Sequence, residues 1–154
     1  MMQSIDVSAV LRQAVRGYYA DLVTRATGRA VREEIERAMV AEEPVVCTRM
    51  DFSGVRIIDF SCADEIVAKL VRGGGGGGGG GRVRVLVLRG VSAGHLQALE
   101  QVLEGHGLAV AVEHDDGTLD AIGPRETGAR LLEELVALEL AWRTPAGALA
   151  LRTA

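Results

Sequence analysis

The chain has 154 residues and is 48% hydrophobic but only 3% aromatic, so it can form one domain whose core must be built from Val, Leu, Ile and Ala. Its formal net charge of -4 gives no support to nucleic-acid binding, which draws on a basic surface. No basic leader precedes an apolar run, and no stretch approaches a membrane span. The sequence therefore predicts a cytoplasmic protein without a membrane partner, with Cys47 and Cys62 as reduced thiols.

Residues Ser4 to Arg16 mix apolar positions as a short strand leading into a helix would, and Gly17 ends the segment. Tyr18 to Thr24 is β-prone and reads as a strand. Thr27 then caps a helix to about Ala41, with Val31, Ile35, Ala38 and Met39 inward. Glu42-Glu43-Pro44 breaks it, and Val45 to Met50 starts a buried strand.

The most informative stretch runs from Arg49 to Leu70. A turn at Asp51-Phe52-Ser53-Gly54 is followed by apolar Val55, Ile57 and Ile58, a break at Asp59-Phe60-Ser61, and a helix. Ser61 is placed to cap that helix, with Asp64 and Glu65 in its first turn, where acids suit the dipole. Ala63, Ile66, Val67 and Leu70 share one apolar face.

Nine glycines, Gly73 to Gly81, follow. They read as a polyglycine loop that spans about 15–18 Å as a coil. A phosphate-binding loop needs a strand before the glycines and a helix after them, the reverse of what stands here. Val83 to Leu88 is a near-continuous apolar run, as in a strand covered on both faces. Ser92 caps a helix that Gly105-His106-Gly107 closes. Leu108 to Val112 is a strand, and Thr118 to Ile122 pairs back on it across Asp115-Asp116-Gly117.

Gly123-Pro124 marks a boundary between residues 1–123 and a helix-hairpin appendage, 124–154. The appendage comprises a helix from about Glu126 to Ala137 and strands at Leu138 to Arg143 and Ala148 to Arg152. Trp142 is expected to pack this tail against the rest. Helix plus hairpin resembles the end of a winged helix, which makes a DNA-binding regulator the alternative reading. The acidic helix argues against it, in favour of packing on the sheet or a homodimer contact. Alternating strands and helices from Tyr18 to Val112 give an α/β fold.

For chemistry, His95, His106 and His114 have no metal spacing and read as exposed cap or turn residues. Neither Ser61 nor Ser53 lies in a G-x-S-x-G elbow. Cys62, in the first helical turn, reads as a structural thiol more readily than as a nucleophile. No catalytic group, cofactor site or metal site is expected. Ser61 remains, either as a cap or as a phosphorylation site at a helix N-terminus, where phosphate is electrostatically welcome.

The stretch from Met50 to Glu65 resembles the core signature of STAS domains, the fold of anti-sigma-factor antagonists, and most of all the divergent STAS-like branch of unknown function. The antagonist signature is close to D-L-S-x-V-x-x-I-D-S-S-G; Asp51, Ser53, Val55, Ile58, Asp59 and Ser61 match it, while Phe60 replaces its first paired serine and Cys62 its glycine. The resemblance implies a STAS-like mixed sheet of about four to five strands with helices packed against it. It implies a non-enzymatic regulatory module that binds a protein partner, an anti-sigma factor or a histidine-kinase-like ATPase. The surface would be Asp59, Phe60, Ser61, Cys62, Asp64, Glu65 and Lys69, with phosphorylation at Ser61 as the switch.

Overall fold

The computed structural model describes residues 2–15, 20–39, 45–74 and 83–152. Gly17, Tyr18, Tyr19, Ala41, the Glu42-Glu43-Pro44 break and Gly75 to Gly81 lie outside them.

In chain order the elements are β1 (Met2–Asp6), α1 (Val7–Val15), β2 (Asp21–Leu22), α2 (Arg25–Ala38), β3 (Val45–Asp51) and β4 (Ile57–Ile58). A helix, α3, follows as one run: Phe60–Cys62, a π-helical middle Ala63–Ala68, and Lys69–Gly74. Then come β5 (Val83–Arg89), α4 (Ala93–His106), β6 (Val110–Glu113), β7 (Thr118–Ile122), α5 (Arg125–Ala137), β8 (Ala141–Arg143) and β9 (Leu149–Leu151).

Seven strands form one sheet in the order β1-β3-β5-β6-β7-β9-β8; the first four are mutually parallel and the rest antiparallel. β2 and β4 form a separate parallel ribbon. The sheet exceeds the expected four to five strands because the tail joins it. Leu149 and Ala150 of β9 pair with Leu119 and Thr118 of β7, covering an edge that would otherwise show unpaired backbone groups.

The sheet is buried on both sides. Leu86 and Leu88 point to one core, with Met50, Val110, Val112 and the apolar faces of α1 to α4. Val85 and Val87 point to the other, with Cys47, Ala111, Leu135, Ala141 and Leu151. The double-sided apolar run of β5 is thus as its sequence predicts. Residues 124–154, expected as an appendage, supply much of the second core. Trp142, expected to anchor the tail, is instead exposed: along β8, Ala141 turns inward and its neighbour must turn out.

Two caps differ from expectation. α2 starts earlier than Thr27: Thr24 is its cap, and the Thr24 hydroxyl accepts from the Thr27 N–H. α3 is capped by Asp59, not Ser61. Ser92 caps α4 as expected, and Gly107 ends it with φ +66. His95 departs from its expected exposure. Its Nδ1 accepts from the Ser92 N–H at 3.0 Å, so Nε2 carries the proton that reaches the Val55 carbonyl at 2.9 Å, and the ring is buried.

Candidate functional site

The site is the strand-to-helix turn from β4 into α3. Asp59 is still extended (φ -88°, ψ 172°), because its N–H belongs to the ribbon and donates to the Leu22 carbonyl at 2.9 Å. Its side chain is therefore the one positioned to cap. Oδ1 accepts from the Cys62 N–H and the Ser61 hydroxyl, both at 2.8 Å, and Oδ2 accepts from the Thr24 N–H at 3.0 Å. Burial opposes ionisation of Asp59, but these donors outweigh it and hold the carboxyl below its ordinary range. Ser61 is left in the first helical turn, partly exposed, its hydroxyl oriented by the cap. Phe60 beside it is 53% exposed.

Two helix N-termini meet here. Thr24 caps α2 from φ +70°, a conformation that a β-branched residue rarely adopts. Its carbonyl accepts from the Gly28 N–H and from the Cys62 thiol, both at 3.1 Å. Gly28 lets the helices approach: a Cβ there would lie 3.0 Å from the Glu65 Cβ and 3.1 Å from the Cys62 Cα. Cys62 is fully buried in this contact. Burial, reinforced by the Asp59 charge, pushes its thiol up to about 12, so it stays protonated at neutral pH.

The π-helical middle of α3 is buried at Ala63, Glu65, Ile66, Val67 and Ala68, with both α2 and α4 packed against it. Glu65 is consequently buried. Its Oε1 accepts from Arg25 at 3.0 Å and from Lys69 at 2.7 Å, and Arg32 Nε lies 3.6 Å from Oε2. Burial acts to raise its carboxyl, and these cations more than reverse that. Asp64 pairs with Arg25 and with His106 Nε2 of α4, each at 2.8 Å.

Of the expected partner-binding residues, the fold brings Asp59, Phe60, Ser61, Asp64 and Lys69 to or near the surface. Cys62 and Glu65 lie beneath it, because α2 packs directly over that side of the helix. Two apolar residues outside the expected surface, Val23 and Ile57, are exposed as well, on the ribbon that leads into this turn. The signal for Ile57 was present: in a short strand, adjacent Ile57 and Ile58 cannot both face the core.

A second concavity, of about 590 Å³, opens at the carboxyl ends of β5 and β6, lined by Ser53, Gly90, Glu100, His114 and Asp120 among others. Gly90 (φ +69°) is required there, since a Cβ would sit 2.6 Å from the Ser53 N and 2.7 Å from Asp51 Oδ1. Asp51 turns inward on its own loop, accepting from the Ser53 N–H at 2.8 Å and from the Ser53 hydroxyl.

Searched against protein-family models, curated proteins and solved structures, the chain has no significant match.

Proposed function

We propose that this chain is a non-enzymatic regulatory module of anti-sigma-factor-antagonist type, which binds a protein partner through the turn and first turns of α3. The observation that carries the reading is the setting of Ser61. Its hydroxyl sits at the first turn of a helix, donates to the capping Asp59, and lies next to an exposed phenylalanine. The resemblance of Met50 to Glu65 to the STAS signature supports the same site and supplies the partner class, an anti-sigma protein or a histidine-kinase-like ATPase.

The switch follows from the chemistry of the turn. Phosphorylating Ser61 would replace the donor to Asp59 by a group carrying about -1.5 to -2 charge. That group would face the Asp59 carboxylate at close range while the helix N-terminus attracts it. The cap would have to rearrange, and with it the surface bearing Phe60. Asp59, Phe60, Asp64 and Lys69 form the contact in this reading, and Cys62 and Glu65 support it from below.

The nucleic-acid alternative is the weaker proposal. The apolar side of α5 is committed to the sheet, and the β8–β9 hairpin extends that sheet as its edge.

The test is the affinity of the chain for a histidine-kinase-like ATPase of the same cell, combined with mapping of phosphorylated sites. Ser61→Asp should lose the partner and Ser61→Ala should keep it. Equal affinity of the two variants would sink the switch.

A further inference from the structure

We infer that the docking surface extends from the α3 turn across the outer face of the β2–β4 ribbon onto the start of α2, and that it receives an acidic segment of a partner protein anchored by apolar side chains. The inference rests on the reading above that the α3 turn meets a protein.

The apolar part is a matter of register. Leu22 and Ile58 pair in the ribbon and both point inward, so alternation turns Val23 and Ile57 outward. Val23 is held beside Asp59, because the Leu22 carbonyl accepts the Asp59 N–H and the Thr24 N–H donates to Asp59 Oδ2. Phe60 is the next residue. Val23, Ile57 and Phe60, at 41%, 43% and 53% exposure, thus stand on neighbouring positions of the ribbon and the turn that leaves it. Among the described residues the other exposed large apolar side chains are Val136 and Trp142, on the tail.

The charge around them has a consistent sense. In the ion pairs that flank the ribbon and the α3 turn the cation is the outer member, whereas farther along α2 Glu36 lies outside Arg32. Arg25 is 44% exposed over Asp64 and Glu65 at 14% and 1%, and Arg56 is 68% exposed over Asp21 at 27%. Lys69 likewise lies outside Glu65, and Arg29, one turn on from Arg25, is exposed as well. An approaching molecule meets arginines around an apolar centre, on a chain whose net charge is -4. The complement is a segment with aromatic or aliphatic anchors flanked by Asp and Glu. A phosphate on Ser61 would place negative charge inside this ring and repel that segment. An anionic lipid surface would suit the arginines, but a two-stranded ribbon with three apolar side chains lacks the long amphipathic face that enters a bilayer interface.

The experiment is selection of a random peptide library on the full chain, with the Phe60→Ser variant as competitor. The expected peptides combine apolar anchors with acidic residues. Their affinity should fall about 10-fold or more in Phe60→Ser and in Arg56→Glu, and weaken with added salt. Both positions are exposed, and unchanged melting temperatures establish that the variants fold. Enrichment of basic or uncharged peptides, peptides that ignore the Phe60 change, or no enrichment would overturn the inference. So would Phe60-dependent binding to phosphatidylglycerol vesicles in place of peptides. Selected peptides that bind Ser61→Asp and Ser61→Ala alike would sink the switch and leave this surface standing.

Discussion

The Asp59 carboxylate accepts the Thr24 N–H at 3.0 Å, and through that bond the cap of α3 holds the cap of α2. The same carboxylate orients the Ser61 hydroxyl with its other oxygen. The starts of two helices and the orientation of the Ser61 hydroxyl therefore depend on a single side chain.

Asp59→Ala should destabilise the fold by about 2 kcal/mol, the upper end of the range for losing an N-cap, because the Thr24 contact goes with it. Asp59→Asn retains an acceptor oxygen for the Cys62 N–H and should cost less, about 1 kcal/mol. Urea denaturation midpoints of the two variants check this. Equal losses would mean that the negative charge matters more than the cap geometry.

Thr24 offers a test of backbone strain. Its φ of +70° is glycine territory, while its hydroxyl accepts from the Thr27 N–H at a long 3.4 Å and donates to the exposed Thr27 Oγ1 at 3.1 Å. Thr24→Gly relieves the strain and loses little capping, so it should stabilise by about 1 kcal/mol. Thr24→Ala keeps the strain and loses the cap, and should destabilise by a similar amount. Opposite shifts in melting temperature are the expected outcome.

The pH dependence has a definite sign. Asp6, Asp59, Asp64 and Glu65 all have carboxyls held below their ordinary values. Below an ordinary carboxylate pKa of about 4 the unfolded chain takes up protons before the folded one does. The stability these groups contribute is complete above about pH 5 and is lost as pH falls through 4 toward the lower folded values. Denaturation midpoints measured from pH 7 to pH 3 should fall along that course, and Asp59→Asn should flatten the drop. A midpoint independent of pH across this range would contradict the arrangement around Asp59 and Glu65.

Much of this architecture is legible in the residues. The apolar run of β5 states burial on both faces, and Ser92 with Gly107 brackets α4. The apolar face of α3, Ala63, Ile66, Val67 and Leu70, is buried as its spacing demands. The failures at Asp59, Glu65 and His95 depend on partners distant in sequence. Asp59 and Ser61 are both eligible caps by type, and what selects Asp59 is the ribbon bond to Leu22, which keeps it extended. Glu65 looks solvent-facing until Arg25, 40 residues earlier, is brought onto it. His95 looks like a surface cap until Val55 supplies an acceptor for its second nitrogen.

The Glu65 cluster should be strongly non-additive. Arg25 and Lys69 both bond Oε1 of a buried carboxylate, and either can partly compensate for the other. Arg25→Ala and Lys69→Ala should each cost little, since their own charges are exposed. The double variant leaves the carboxylate with Arg32 alone, at 3.6 Å, and should cost more than the sum by about 1–2 kcal/mol. A thermodynamic cycle over the four proteins measures this coupling, and strict additivity would mean that Arg32 suffices.

The cysteines give a final test of how tightly the two helices are closed over each other. Cys62 is buried between α2 and α3 with its thiol bonded to the Thr24 carbonyl and pushed up to about 12. Burial also pushes Cys47, in the second core, up to about 11. Neither presents thiolate at pH 8, so a thiol-specific reagent should leave both unmodified in the native protein and label both in urea. The two should differ once Asp59 is changed. Asp59→Ala loosens the α2–α3 junction and should make Cys62 reactive at lower urea than Cys47, which lies on the opposite side of the sheet. Identical labelling curves for the two thiols would mean that the junction opens only with the whole domain.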